Sequence, residues 1–246
     1  METVLLRLTG PMQSYGTAAH WEERGTQRRP TKSAVIGLIA NALGLAHDES
    51  LHHLAGMTFA VRADRPGREI RDQQTAGGGS FPPAGENTPD SESRYGAPRD
   101  PGLNRDGTLR PSRQKRSRDP VLITKHYLED AGFLAGLSTD DATLAAAIDG
   151  ALRRPARALF LGRHCCPPAH SVAHGITPYG PGQWPGRVPL LPEATAAEPT
   201  VWTEAQQPAA GARPSPENPL QFSTRTHTTL FLQTSTVLPP APEPSR

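Results

Sequence analysis

The chain has 246 residues, 35% of them hydrophobic, with a formal charge of +2 and two adjacent cysteines; this is enough for one sizeable core or two small domains sharing an interface, and it excludes a disulfide framework. No run reaches the roughly 18 uninterrupted apolar residues of a membrane span, and the opening METVLLRLTG lacks a basic leader with an apolar stretch of secretory length, so the sequence reads as soluble, cytoplasmic and held in a reducing compartment. The 27 prolines crowd into particular stretches, so an ordered core should alternate with long irregular segments.

In chain order, TVLLRLT (3–9) predicts a short buried strand that stops at the turn signal Gly10-Pro11, and GPMQSYG follows as a loop. Residues 31–45 predict a helix: Thr31 or Ser33 can cap it, Val35, Ile36, Ile39 and Leu43 share one face, and Gly44 is placed to end it. MTFAVRA (57–63) predicts a second strand. Glycine, proline and arginine dominate 71–119, which predicts a projecting arm or hairpin rather than a packed core. AGFLAGL (131–137) is a third strand. STDDATLAAAIDGALRRP then predicts the clearest helix, with Ser138 and Asp141 as a capping box, Leu144, Ile148 and Leu152 as the apolar stripe, and Pro155 as the stop. ARALFLG (156–162) is read as the fourth strand. From Pro167 the chain reads as irregular and proline-rich until QFSTRTHTTLFLQTSTV (221–237), which alternates well enough for one or two strands, and 238–246 reads as a loose tail.

The order β-α-β, insertion, β-α-β predicts an α+β fold of ferredoxin-like or RRM-like (βαββαβ) type, with one antiparallel sheet backed by two helices. The domain would span 1–167, with the insertion at about 71–125 between strands two and three, and an irregular extension over 168–237.

Charge is unevenly placed. Between Arg94 and His126 nine Lys or Arg face three acids, which suits a polyanionic partner and equally suits a solvated arm kept soluble by its charges. Smaller basic clusters sit at Arg24, Arg28, Arg29 and Lys32. The first turn of a helix exposes unpaired N–H groups and the positive end of its dipole, and Lys32 and Ser33 add an ammonium and a hydroxyl there. The same residues also fit an ordinary capped core helix.

Four stretches, LRLTGPMQSYG (6–16), PTKSAVIGLIANALGL (30–45), HYLEDAGF (126–133) and LGRHCCP (161–167), resemble in order and spacing the CasD family of the type I-E CRISPR Cascade complex, part of the RAMP superfamily. The resemblance covers most of 1–167, with an echo at 221–237. It implies an RRM-like fold with a long basic β-hairpin thumb, here the 71–125 insertion, and a non-catalytic role in antiviral defence. It implies capture of the repeat-derived 5′ handle of crRNA beside a CasC-type backbone subunit and a CasA-type large subunit, with target DNA met only indirectly, no membrane and no cofactor or metal.

Under that resemblance, single-stranded RNA calls for phosphate contacts and for pockets that read unstacked bases. Gln13, Ser14 and Tyr15 would meet bases, with Tyr15 stacking or else simply packing beside the turn. Arg24, Arg28, Arg29, Thr31, Lys32 and Ser33 would hold phosphates. Arg110, Arg113, Lys115, Arg116 and Arg118 would line the thumb, and Arg163 would make a further RNA or interface contact.

The alternative is a metal-independent repeat endoribonuclease, because Lys125, His126 and Tyr127 supply a cation, a base and an acid. Consecutive residues on a strand point to opposite faces, so the three cannot converge on one atom without a bulge. His164, Cys165, Cys166, His170 and His174 invite a zinc site, but adjacent cysteines chelate one ion poorly and no second pair is present.

Overall fold

The computed structural model describes residues 1–16, 22–76, 79–80, 117–118, 121–205 and 209–240. The strands are β1 (Glu2–Thr9), β2 (Met12–Gln13), β3 (Glu23–Arg24), β4 (Thr58–Arg65), β5 (Arg68–Ala76), β6 (Gly79–Ser80), β7 (Ser117–Arg118), β8 (Val121–Glu129), β9 (Gly132–Thr139), β10 (Ala173–Thr177), β11 (Thr200–Ala205), β12 (Arg213–Gln221) and β13 (Thr226–Thr236). The helices are α1 (Lys32–Leu43), α2 (His52–Ala55), α3 (Ala142–Arg153) and α4 (Trp184–Arg187). Among the described residues no helix is long and apolar enough to cross a membrane.

The main sheet runs β10-β1-β9-β4-β11-β13-β12, with every neighbouring pair antiparallel. Its first four strands, with α1 and α3 as the crossovers, have the arrangement of a ferredoxin-like sheet. The predicted first, second and third strands are β1, β4 and β9. The fourth is not ARALFLG: residues 156–162 form no strand, and the edge position is taken by β10, which pairs Thr3 with Thr177 and Val4 with Ile176. That segment is instead held as a turn, with the Leu161 N–H donating to the Cys166 carbonyl at 2.7 Å. Nor is 168–237 irregular. It carries β10, α4 and the three strands that extend the sheet beyond β4. Pro214, Pro216 and Pro219 are tolerated in β12 because it is an edge strand paired only with β13, through a register that shifts twice.

Alternation along the strands divides the sheet into two faces. Val4, Leu6, Leu8, Phe59, Val61, Phe133, Ala135 and Leu137 share a core with Val35, Ile36 and Ile39 of α1 and Ile148 and Leu152 of α3. Thr31 caps α1 by accepting from the Ala34 N–H at 3.1 Å, and Gly44 ends it in the left-handed conformation at φ 76. Asp141 alone caps α3, taking the N–H groups of Thr143 and Leu144. Ser138 lies on β9, where its hydroxyl meets that of Thr3 at 2.6 Å, so the expected capping box does not form. On the opposite face Leu5, Ala60 and Leu134 are covered by Trp184, Val188 and Leu191.

The chain divides into two compact units, one of Met1–Ala18, Gly25–Ile70 and His126–Arg246, the other of Ala19–Arg24 and Arg71–Lys125. In the second, β3 runs parallel to β8, with Arg24 opposite Lys125, and β6 pairs antiparallel with β7.

Candidate nucleic-acid interface

The loop after β1 places its polar side chains inward. Gln13 is 0% exposed; its amide nitrogen donates to the carbonyls of Leu8 and Ala131 at 3.1 and 2.7 Å, and its oxygen accepts from the Tyr15 hydroxyl at 2.7 Å. Tyr15 is buried edge-on against Phe133, and burial, with the neighbouring Cys166 second, holds its phenol well above the ordinary value. Ser14 donates to the His126 carbonyl. These three side chains lock the loop, and none presents a surface that a base could reach. Loss of even one such buried bond would leave a desolvated polar group, which is why all three are satisfied together.

The entrance to α1 is also closed. Lys32 is 1% exposed; its Nζ donates to both carboxylate oxygens of Glu204, at 2.9 and 3.2 Å, and to the Ala55 carbonyl at 2.8 Å. Burial lowers its pKa, and Glu204 opposes that shift. Arg29 makes a two-pronged pair with Glu217, at 3.0 and 3.2 Å. The Thr31 hydroxyl is taken by the cap. Ser33 is partly accessible, 3.3 Å from the His227 ring. The positive end of α1 is therefore met by two internal carboxylates from the C-terminal strands, and the anion site expected at Thr31, Lys32 and Arg29 is already balanced.

Arg24 and Arg28 are exposed. Arg118 lies on β7, of which only the backbone is described, and Arg110, Arg113, Lys115 and Arg116 lie outside the described residues. Arg163 stands half-buried with its guanidinium 4.7 Å from the centre of the Tyr127 ring, a cation–π arrangement.

Around it the chemistry is graded. The Tyr127 hydroxyl lies 3.6 Å from Cys165 Sγ; burial and then Cys165 raise the phenol, while Arg163 lowers it. Cys165 is exposed and its thiol is lowered, chiefly by that hydroxyl. Cys166, 3.9 Å away and buried, is pushed up to about 12 by burial and by its neighbour. His126 is 6% exposed with Nδ1 2.6 Å from Glu69. Lys125 donates to Gln74. Among the described residues no three His, Cys, Asp or Glu side chains gather to hold an ion.

The 6–16 and 161–167 stretches meet at one point. The Ser14 N–H donates to the Leu161 carbonyl at 3.1 Å, and a Cβ on Gly162, at φ 91, would stand 1.7 Å from the Ser14 carbonyl oxygen. Sequence reasoning missed His164, whose ring stacks on Phe160, as well as Glu204 and Glu217. The first was absorbed into a metal cluster. The other two sit in a stretch whose prolines suggested no structure.

An RRM stacks bases on the sheet face opposite its helices, and here that face lies under Trp184. A family profile described as CRISPR-associated protein (Cas_Cas5) matches residues 3–218. The Cascade subunit CasD of Escherichia coli (strain K12) is 30% identical over 177 residues, 70% of each chain. A solved structure described as a crystal structure of a Cas protein aligns over 98% of this chain and all of its own, with TM-score 0.69 and 26% identity. A chain of a CRISPR RNA-guided surveillance complex aligns over 97% of this chain and 91% of its own, with TM-score 0.70 and 26% identity.

Proposed function

We propose that this chain, which belongs to the Cas5 family of CRISPR-associated proteins, is the crRNA-binding CasD-type subunit of a type I-E Cascade surveillance complex in the cytoplasm. It captures the repeat-derived 5′ handle and caps the backbone between a CasC-type subunit and the CasA-type large subunit, meeting target DNA only through the assembly. The observation that carries this reading is the likeness to a chain of an RNA-guided surveillance complex over 97% of the chain, joined to 30% identity with a Cascade subunit.

The phosphate contacts are assigned to Arg24 and Arg28, which are exposed, to the half-buried Arg163, and to Arg110, Arg113, Lys115, Arg116 and Arg118 along a thumb formed by the 71–125 insertion. Nine cations against three acids between Arg94 and His126 supply the sequence-independent attraction that polyanion binding needs.

The role is non-catalytic. His126 and Tyr127 are 6% and 3% exposed and are engaged by Glu69 and Arg163, which supports binding over repeat cleavage. The test is to express the tagged chain with its neighbouring operon and CRISPR array, purify the particle and sequence the 5′ ends of the bound RNA. One repeat-derived 5′ end is expected. Absence of RNA, or heterogeneous ends, would overturn handle capture, and cleavage of repeat RNA by the purified chain in chelator would establish the ribonuclease instead.

A further inference from the structure

The turn from Arg163 to Cys166, closed by the Cys166 N–H donating to the Arg163 carbonyl at 2.9 Å, carries two ring contacts on consecutive residues. Arg163 lies over the Tyr127 ring. His164 lies over Phe160, with ring centroids 4.7 Å apart and 16° between the planes. The inner members, Tyr127 and Phe160, are buried and half-buried; the outer members are half-buried in Arg163 and exposed in His164. A ring whose inner face is covered by a near-parallel phenyl and which is nonetheless exposed turns its outer face to solvent.

The support beneath is tied down by backbone contacts. Gly162 is pressed on the Ser14 carbonyl, and hydrogen bonds tie Leu161 to Ser14 on one side and to Cys166 on the other. A ring held flat and outward on such a turn, next to a guanidinium that lies over the Tyr127 ring, has the form of a stacking surface for unpaired bases, which favours any base because each has a π-face.

We propose that His164, backed by Phe160 and flanked by Arg163, stacks one unpaired nucleobase of the bound RNA. This rests on the RNA-binding reading above and adds the residue that contacts a base. The test uses the full chain with single-stranded RNA oligomers of the handle sequence carrying 2-aminopurine at successive positions, read by its fluorescence and by the dissociation constant at fixed salt. One position should quench on binding. His164→Ala should remove that quench and weaken binding roughly 5- to 150-fold, the worth of one base–aromatic stack. His164→Phe should keep both, because the ring and not the imidazole nitrogens makes the contact. Thermal melting of each variant, unchanged from the parent, separates lost stacking from lost fold. Should the unmodified chain bind no RNA, the RNA-binding reading falls and the stacking surface with it. Should it bind while His164→Ala retains quench and affinity, the stacking surface alone is overturned.

Discussion

Replacing Glu204 by glutamine separates a structural lysine from an RNA-binding one. The Lys32 ammonium is 1% exposed and Glu204 18%, so Glu204→Gln leaves a buried cation with only the Ala55 carbonyl and a neutral amide. Breaking a buried pair from one side costs about 3–5 kcal/mol. An upper limit follows from the lysine's own escape: shedding its proton at pH 7 from an ordinary value of 10.5 costs about 1.36 kcal/mol per unit, near 5 kcal/mol in all. For a chain of this size that lowers the melting temperature by roughly 6–20 °C. Lys32→Met should cost less, about 1–3 kcal/mol, because Glu204 keeps the Phe59 N–H at 2.8 Å and some access to water. The double variant should resemble Lys32→Met alone. In RNA binding Lys32→Met should leave the salt slope unchanged, whereas a lost single-strand phosphate contact flattens it by about 0.7. Differential scanning calorimetry and salt-titrated binding read both. A Glu204→Gln cost no larger than that of Lys32→Met, additive single variants, or a flattened slope would refute the assignment of the lysine to Glu204.

Gly162→Ala should fail to fold or melt far below the parent, because its Cβ would stand 1.7 Å from the Ser14 carbonyl at φ 91; a melting point within a few degrees of the parent would contradict the packing of the two loops. Iodoacetamide at mildly alkaline pH should label Cys165 well before Cys166, as peptide mass spectrometry will read, and Tyr127→Phe should slow that labelling by removing the hydroxyl that lowers the thiol. The Cys166 thiol, raised from 9.0 to about 12, keeps its proton in the fold after the unfolded chain has lost it. Stability should therefore be intact below pH 9 and decline between 9 and 12, by up to about 1.4 kcal/mol per unit, and Cys166→Ala should flatten denaturant-midpoint curves between pH 9 and 10, before the raised Tyr15 phenol adds its own fall. Thr31→Ala should destabilise by about 1 kcal/mol in chemical denaturation through loss of the α1 cap.

Much of the fold was legible because its signals are local. The apolar runs of β1, β4 and β9, the threonine and glycine bracketing α1, and the stripe of α3 each lie within a dozen residues, where period and capping chemistry act. The fourth strand was misplaced because ARALFLG has the composition of a strand, while the segment that joins the sheet, AHGIT, contains a histidine and a glycine at φ 108 and owes its place to pairing with β1. Proline content hid β12 for a related reason: an edge strand needs only half of its backbone groups.

The candidate site divides along the same line. From the sequence come the family, the basic character of the 94–126 stretch and the two loop motifs, since residue type and spacing suffice for them. Whether a polar residue faces outward was decided by partners far along the chain. Lys32 and Arg29 have the composition of phosphate ligands and became internal ions because Glu204 and Glu217, 172 and 188 residues away, arrive beside them on the C-terminal strands. Gln13 and Tyr15 turned inward because the Ala131 carbonyl and the Phe133 ring complete their surroundings. A side chain's charge is a property of its residue, but its availability depends on what the folded chain brings within about 3 Å of it, and only the tertiary structure decides that.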